Sequence, residues 1–344
     1  MITRVDEALA TFLRSRAESL TAVGDELEPV FASARSLVLD GGKRLRPTFA
    51  YYGWRSVQPP DADDSGLITA AASLELLHAC ALVHDDVMDS SATRRGKPSA
   101  HAAFAELHRR SSWHGDPEGF GASAAILLGD LLLSWADALF ASAGVDPATR
   151  TVWDEMRQLV MAGQYLDVLV QARGEFSADD ALRVAMYKTS KYTVEGPLHF
   201  GAAAAQAPVE TFAALSAYGI PLGEAFQLRD DVLGVFGDPD RTGKPAGDDL
   251  REGKRTLLVA LAMDGADAGQ AALLRDHLGI RDLDDATIAA LGDVIVQTGA
   301  LAQVEQRIAE RTDQARAALR TPAISADAQA ALDALAVAAS QRHT

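Results

Sequence analysis

The chain has 344 residues, 48% hydrophobic and 23% charged, a balance that excludes wholesale disorder and suits a soluble globular protein. Its formal charge of −16 repels nucleic acid and anionic membrane surfaces, although metal ions or a local basic cluster can reverse that field inside a cleft. The single cysteine, Cys80, excludes an internal disulfide and a thiolate metal site, and suits a reducing compartment.

Hydrophobic periodicity predicts helix almost everywhere, and no run alternates long enough to suggest a sheet. The first twenty residues carry charges throughout and lack a signal-like apolar core, so a cytoplasmic protein is expected. Ser65 opens a long apolar helix to about Met88. The stretch 111–120, SSWHGDPEGF, reads as a flexible connection. The oiliest run, GASAAILLGDLLLSW, is interrupted by Asp130 and reads as too short for a membrane span, so no stable membrane insertion is expected. Asp146 and Pro147 open a helix to about Arg173, since proline is tolerated in a first turn. SADD at Ser177 reads as a capping box variant before ALRVAMYKTSKYTVEG. A further helix is predicted from about Pro208 to Val235, bent at Pro221. Polar loops at 90–97 and 237–248 each follow an aspartate cluster at a helix end, and alanine-rich amphipathic helix follows from about Asp267. The predicted architecture is all-α: one domain over residues 1–344, a bundle of about a dozen helices.

The stretch LVHDDVMDSSATRRGKPSAH, residues 82–101, concentrates the chemistry. Asp85 and Asp89 are four residues apart, so they share one helix face about one 5.4 Å turn apart, with Asp86 roughly 100° around the axis. Two parallel carboxylates repel each other, and a helix C-terminus disfavours negative charge. The arrangement makes sense if hard divalent cations bridge them, Mg²⁺ with oxygen ligands being the natural choice. A solvated acidic helix end is the plain alternative, but the residues before Asp85 are apolar on all sides, which points to a buried helix capped by acids at a cavity.

A partner motif occurs at 226–256, FQLRDDVLGVFGDPDRTGKPAGDDLREGKRT. Asp230 and Asp231 again end an apolar helix, and Lys244 and Lys254 follow in glycine-containing loops suited to reaching phosphate oxygens. Two such helices facing each other would hold Mg²⁺ between them and clamp a diphosphate. With GGKRLRP at 41–47, GDLLL at 129–133, GQYLD at 163–167 and YKTSKYTVEGPL at 187–198, these motifs span about two thirds of the chain. In this order, the chain resembles the trans-isoprenyl diphosphate synthases, which include farnesyl and geranylgeranyl diphosphate synthases.

The resemblance implies an isoprenoid-synthase-type helical bundle around a central substrate cavity and a homodimer. It implies a reaction in which an allylic diphosphate loses its diphosphate to metal and the resulting cation is attacked by isopentenyl diphosphate. It assigns Mg²⁺, three ions per site, to Asp85, Asp89 and Asp230, with Asp86 and Asp231 orienting ligands and waters. Arg94, Lys188 and Lys254, with Lys244 nearby, would contact the allylic diphosphate. Lys43, Arg46, His78 and Arg95 would bind isopentenyl diphosphate, for which arginine's fork is suited. Thr189 and Gln227 would place polar dipoles near the cation or the diphosphate. By itself, His78 on an apolar face reads as a core histidine, and Thr189 and Gln227 as structural residues; His84, His101 and Asp130 also read as structural.

The family's second motif is DDxxD, but its fifth position here is Gly234. Asp230 is expected to carry that site alone, since Asp238 returns to its face only if the helix persists through Gly234 and Gly237. Chain length should be set on the helix carrying Asp85, by Cys80, Ala81 and Leu77. In the family, bulky aromatics at the positions of Cys80 and Ala81 stop the product at farnesyl length. Both are small here, which favours geranylgeranyl diphosphate, with a longer polyprenyl or a farnesyl product as alternatives. A class I terpene cyclase would not need the second diphosphate site that GGKRLRP and Arg95 supply, and a non-catalytic regulatory subunit would not need acids at both motifs.

Overall fold

The computed structural model describes residues 1–238 and 246–340. The described residues are overwhelmingly helical and fall into two compact units: Met1–Arg150 with Pro197–Ala207, and Thr151–Gly196 with Pro208 onward.

The first unit contains α1 (Ile2–Thr21), α2 (Glu28–Leu39), α3 (Leu45–Arg55), α4 (Ser65–Met88), α5 (Ala100–Arg110) and α6 (Pro117–Ser142). Helix α4 is apolar on every side because it is enclosed: α6 packs along it, α5 packs on α6, and α1 and α3 cover other faces. Leu74, Leu76, Leu128 and Leu132 are fully buried there, each worth about 1.5–3 kcal/mol relative to exposure. Two glycines set the helix spacing: a Cβ at Gly129 would fall on the His84 ring, and one at Gly121 on the backbone of α5. The structure differs from sequence expectation in two places. The loop after α4 folds into a two-stranded hairpin, β1 (Thr93–Arg94) with β2 (Lys97–Pro98), closed by Arg95 and Gly96 at φ 52° and 72°, the positive values a type I′ turn requires. The connection after α5 ends at Asp116, whose side chain caps α6, so that helix runs 26 residues. Helices α4 and α6 are thus both long and apolar enough to cross a membrane by length and composition, although 72% of the apolar window of α4 is buried within the protein.

The second unit holds most of α7 (Ala148–Arg173), then α8 (Ala178–Val184), a π-helix (Ala185–Glu195), α10 (Val209–Phe236) and α11 (Asp248–Glu252). After these come α12 (Leu257–Gly265), α13 (Ala268–His277), α14 (Asp285–Gln297), α15 (Ala300–Ala318) and α16 (Ala326–Ser340). The short helix α9 (Gly196–Ala204) belongs to the first unit from Pro197 on. Ser177 and Asp180 form the expected capping box before α8. Helix α10 continues through the buried Pro221 and packs against the π-helix and α15. Its Leu228 and Val232 pack with Leu258, Leu291, Ile295 and Val304 in the core of this unit. The second aspartate motif sits in the last two turns of α10.

Candidate active site

In the first unit the acids end α4 as the spacing predicts. Asp85 lies in the last turn, and Asp89 is the C-cap residue whose N–H donates to the Asp85 carbonyl at 2.8 Å. Asp85 keeps a side-chain exposure of 20%, whereas Asp86 is 1% exposed and turned inward. Burial raises the Asp86 pKa, and Arg94 offsets that penalty: its Nε donates to both carboxylate oxygens at 2.8 and 2.9 Å. Arg94 also lies 3.5 Å from Asp85. The hairpin therefore carries Arg94 back over the helix end, and this cation offsets the charge that the helix dipole disfavours.

The motif GGKRLRP forms the turn before α3. Gly41 and Gly42 take φ of 94° and 105°, values that a side chain would oppose. Arg44 takes φ 50° and points into the protein, donating to Glu75 at 2.8 Å, Asp6 at 2.8 Å and the Val38 carbonyl at 2.8 Å. Arg44 and Glu75 were not singled out from sequence, yet Glu75 is the sole acid inside the apolar run of α4, and that oddity was the signal. The same turn brings together most of the residues expected to bind isopentenyl diphosphate. Burial, and then Arg46, Arg95, Arg94 and Arg44, hold the His78 pKa well below the ordinary histidine range. Desolvation and the neighbouring Arg94 and Arg44 lower the Arg95 pKa. Lys43 lies exposed on the same turn. Guanidinium groups gathered around a buried histidine form a positive pocket in a strongly acidic protein, the electrostatics of an anion site.

Along α4 toward the core, Ala81 is partly exposed, whereas Cys80 and Leu77 are buried. His84, expected to be structural, lies 3.8 Å from Cys80 Sγ, with Nε2 3.2 Å from the Ile126 carbonyl and 3.8 Å from Asp130. His101 Nδ1 lies 3.2 Å from Ser99 Oγ.

In the second unit, Lys188 and Thr189 sit on the π-helix. Gly163 of GQYLD allows the close approach of that backbone: a Cβ there would lie 2.5 Å from the Lys188 nitrogen. One turn on, Asp167 accepts a 2.6 Å bond from Lys188 Nζ. The motif GQYLD marks the position of Asp167, but its sequence gives the residue no partner. Thr189 donates to Gln227 Oε1, and Gln227 Nε2 donates to Asp231 at 2.7 Å, so both expected dipoles end on the second motif. Asp230 is partly buried and Asp231 is 7% exposed. Burial, then the Asp249 carboxylate, pushes the Asp231 pKa up to about 8. Lys254 Nζ lies 3.1 Å from Asp249 and 2.8 Å from Glu252. Helix α10 ends at Phe236 with extended backbone at Gly237, so Asp238 is exposed and does not return to the face of Asp230. Lys244 lies outside the described residues.

Among the described residues, no three His, Cys, Asp or Glu side chains converge as a ready-made metal cage. Each motif instead presents one or two carboxylates, the donor set of a hard divalent cation that keeps its waters and takes further ligands from phosphate.

Against known proteins, residues 28–294 match the family model for polyprenyl synthetase. The chain belongs to the polyprenyl synthetase family. It is 34% identical over 307 residues to the geranylfarnesyl diphosphate synthase of Aeropyrum pernix, covering 87% of this chain and 90% of that one. It is 32% identical over 287 residues to the octaprenyl diphosphate synthase of Escherichia coli, covering 83% and 81%. Among solved structures, geranylgeranyl pyrophosphate synthase of Corynebacterium glutamicum, complexed with isoprenyl diphosphate and magnesium, superposes with a TM-score of 0.94. That protein is 41% identical, with 98% and 97% of the two chains covered. This polyprenyl synthetase is all-α and is a trans-prenyltransferase that makes prenyl diphosphates.

Proposed function

We propose that this polyprenyl synthetase joins isopentenyl diphosphate to an allylic diphosphate and releases geranylgeranyl diphosphate. The observation that carries the product length is the pair Cys80 and Ala81, small side chains beneath Asp85 on α4. From Asp85 to Ala81 and on to Leu77 the helix descends about 5.4 Å per turn, close to one isoprene unit per turn. An aromatic at either position would close the channel one unit earlier; neither is present. The relatives make products of several lengths, so membership of the family leaves this reading to the pocket residues.

The carboxylates fit Mg²⁺, a hard cation that binds through one or two carboxylates and substrate phosphates. We assign it to Asp85, Asp89 and Asp230, three ions per site. When bound, it supplies Lewis-acid stabilisation of the departing diphosphate. The remaining steps belong to side chains. Arg94, Lys188 and Lys254 present cations to the allylic diphosphate, with Asp86, Asp167 and Asp249 holding each in place. Lys43, Arg46, Arg95 and neutral His78 hold isopentenyl diphosphate. Thr189 and Gln227 fix the orientation of Asp231. The released diphosphate takes the proton lost on condensation.

The whole chain, residues 1–344, acts in this reading as one synthase domain and works as a cytoplasmic homodimer; the single cysteine and the acidic balance support the compartment. The test is incubation with Mg²⁺, radiolabelled isopentenyl diphosphate and each allylic primer in turn, with products resolved by chain length. A dominant geranylgeranyl product supports the reading. A dominant farnesyl or longer polyprenyl product would reject the chain-length assignment, and no elongation at all would reject the activity.

A further inference from the structure

Glu75 is a carboxylate beside an anion pocket. It stands one turn before His78 on the same face of α4, and its side chain is 7% exposed. The turn GGKRLRP brings Arg44 onto it: Nη1 donates to Glu75, Nε to Asp6 on α1 and Nη2 to the Val38 carbonyl of α2, each at 2.8 Å. The Arg44 carbonyl accepts from the Thr48 N–H at 3.0 Å and from the Thr48 hydroxyl at 2.7 Å, at the start of α3, where Arg46 also sits. Gly42 lies beside two guanidinium groups: a Cβ there would be 3.2 Å from Arg44 Nη1 and 3.8 Å from Arg95 Nη2. Arg44 thus turns its fork onto three protein acceptors from three helices, between Lys43 and Arg46 in sequence and beside Arg95 in space.

Two effects oppose each other here. By charge alone, Glu75 repels an anion in this pocket, and removing it would tighten binding. By position, it fixes Arg44 and with it the turn that carries Lys43 and Arg46. We propose that position governs: Glu75 and Arg44 are positioning residues that set the geometry of the isopentenyl diphosphate pocket, with Asp6 as their outer support. This rests on the reading that Lys43, Arg46, His78 and Arg95 hold isopentenyl diphosphate. With Arg44 2.8 Å away, Glu75 presents an anion with one end of a neutral pair instead of a bare charge, so little repulsion is left to relieve. A planar fork held at three points fixes a turn as a flexible ammonium would not.

The test is calorimetric titration of isopentenyl diphosphate in chelator, which confines binding to a pocket that supplies its own cations, with the melting temperature as a separate readout. Glu75→Gln should weaken binding by about fivefold or more, the scale of one charge-assisted hydrogen bond, although it removes a negative charge. Asp6→Asn, at a carboxylate 44% exposed, should weaken binding less and in the same direction. Arg44→Gln should weaken it too, and combining Arg44→Gln with Glu75→Gln should cost no more than the worse single change, since both break one support. In the Mg²⁺ assay, Glu75→Gln should raise KM for isopentenyl diphosphate and leave KM for the allylic primer as in wild type. Tighter or unchanged binding by Glu75→Gln, a lowered melting temperature as its sole effect, additive losses, or equal rises in both KM values would each overturn the proposal. Should Glu75→Gln fail to fold, Asp6→Asn decides alone, and undiminished binding by that variant overturns the proposal. Wild-type protein that binds no isopentenyl diphosphate in chelator would overturn the reading beneath it as well.

Discussion

Arg94 grips Asp86, with Nε 2.8 and 2.9 Å from the two carboxylate oxygens of a side chain that is 1% exposed. The residue expected to bind substrate is therefore also the counter-charge for the first aspartate motif. Arg94→Gln should lower activity and also destabilise the metal-free protein by about 2–4 kcal/mol, because breaking such a pair strands a buried charge. Asp86→Asn added to Arg94→Gln should restore most of the stability and none of the activity. Chemical denaturation in chelator, beside initial rates, separates the two effects; a stability loss that the second change leaves untouched would contradict the pairing.

Lys188 and Asp167 make a second such pair at 2.6 Å. Lys188→Met should reduce kcat/KM by about 10²-fold, the usual cost of removing one charge-stabilising donor. Asp167→Asn leaves the ammonium present but loosely held, so its loss should be smaller and should combine non-additively with Lys188→Met. Additive losses would mean that Asp167 acts independently of the lysine.

Ala81→Phe, one turn beneath Asp85, should shift the product mixture toward farnesyl diphosphate. Product analysis by chain length checks it, and an unaltered distribution would place the floor elsewhere.

His78 gives a pH dependence with a definite sign. Its folded pKa is held well below the ordinary 6.5, by burial first and by four arginines after. Below about pH 6.5 the unfolded chain binds the proton and the folded chain does not, so stability falls with pH until the folded pKa is reached. The slope from this residue is at most about 1.4 kcal/mol per pH unit. Denaturant melts at about pH 7.5 and about pH 5 should show that His78→Gln suffers less from acidification than wild type. Equal losses in the two proteins would exclude His78 as the source.

Much of this was written plainly in the chain. The all-α class and the capping box at Ser177 follow from local rules of spacing and hydrogen bonding, and the same rules place both acidic helix ends. What stayed hidden are partners distant in sequence. Asp167 looks like any acid on a polar helix face until the π-helix brings Lys188 over it. Asp249 becomes distinctive once the space at Gly234 is seen to be filled. Arg44, one arginine in a motif of two, turned inward because its left-handed backbone points it at Glu75, 31 residues away. The hairpin at 93–98 escaped because two-residue strands are too short for alternation to register.

The stretch Ala185–Glu195 is wound wider than an α-helix, a form that proteins seldom sustain beyond a single turn. Each turn of it holds more residues than the α-form would, so deleting one residue just upstream of Lys188 would let the coil relax. The cost would be phase: Lys188 and the residues just after it would turn by roughly 100° against the chain before the deletion. Lys188 would leave Asp167, and Thr189 would leave Gln227. The chain is thus kept in an unfavourable winding by the work its side chains share, and its register is as much a part of the enzyme as any acid.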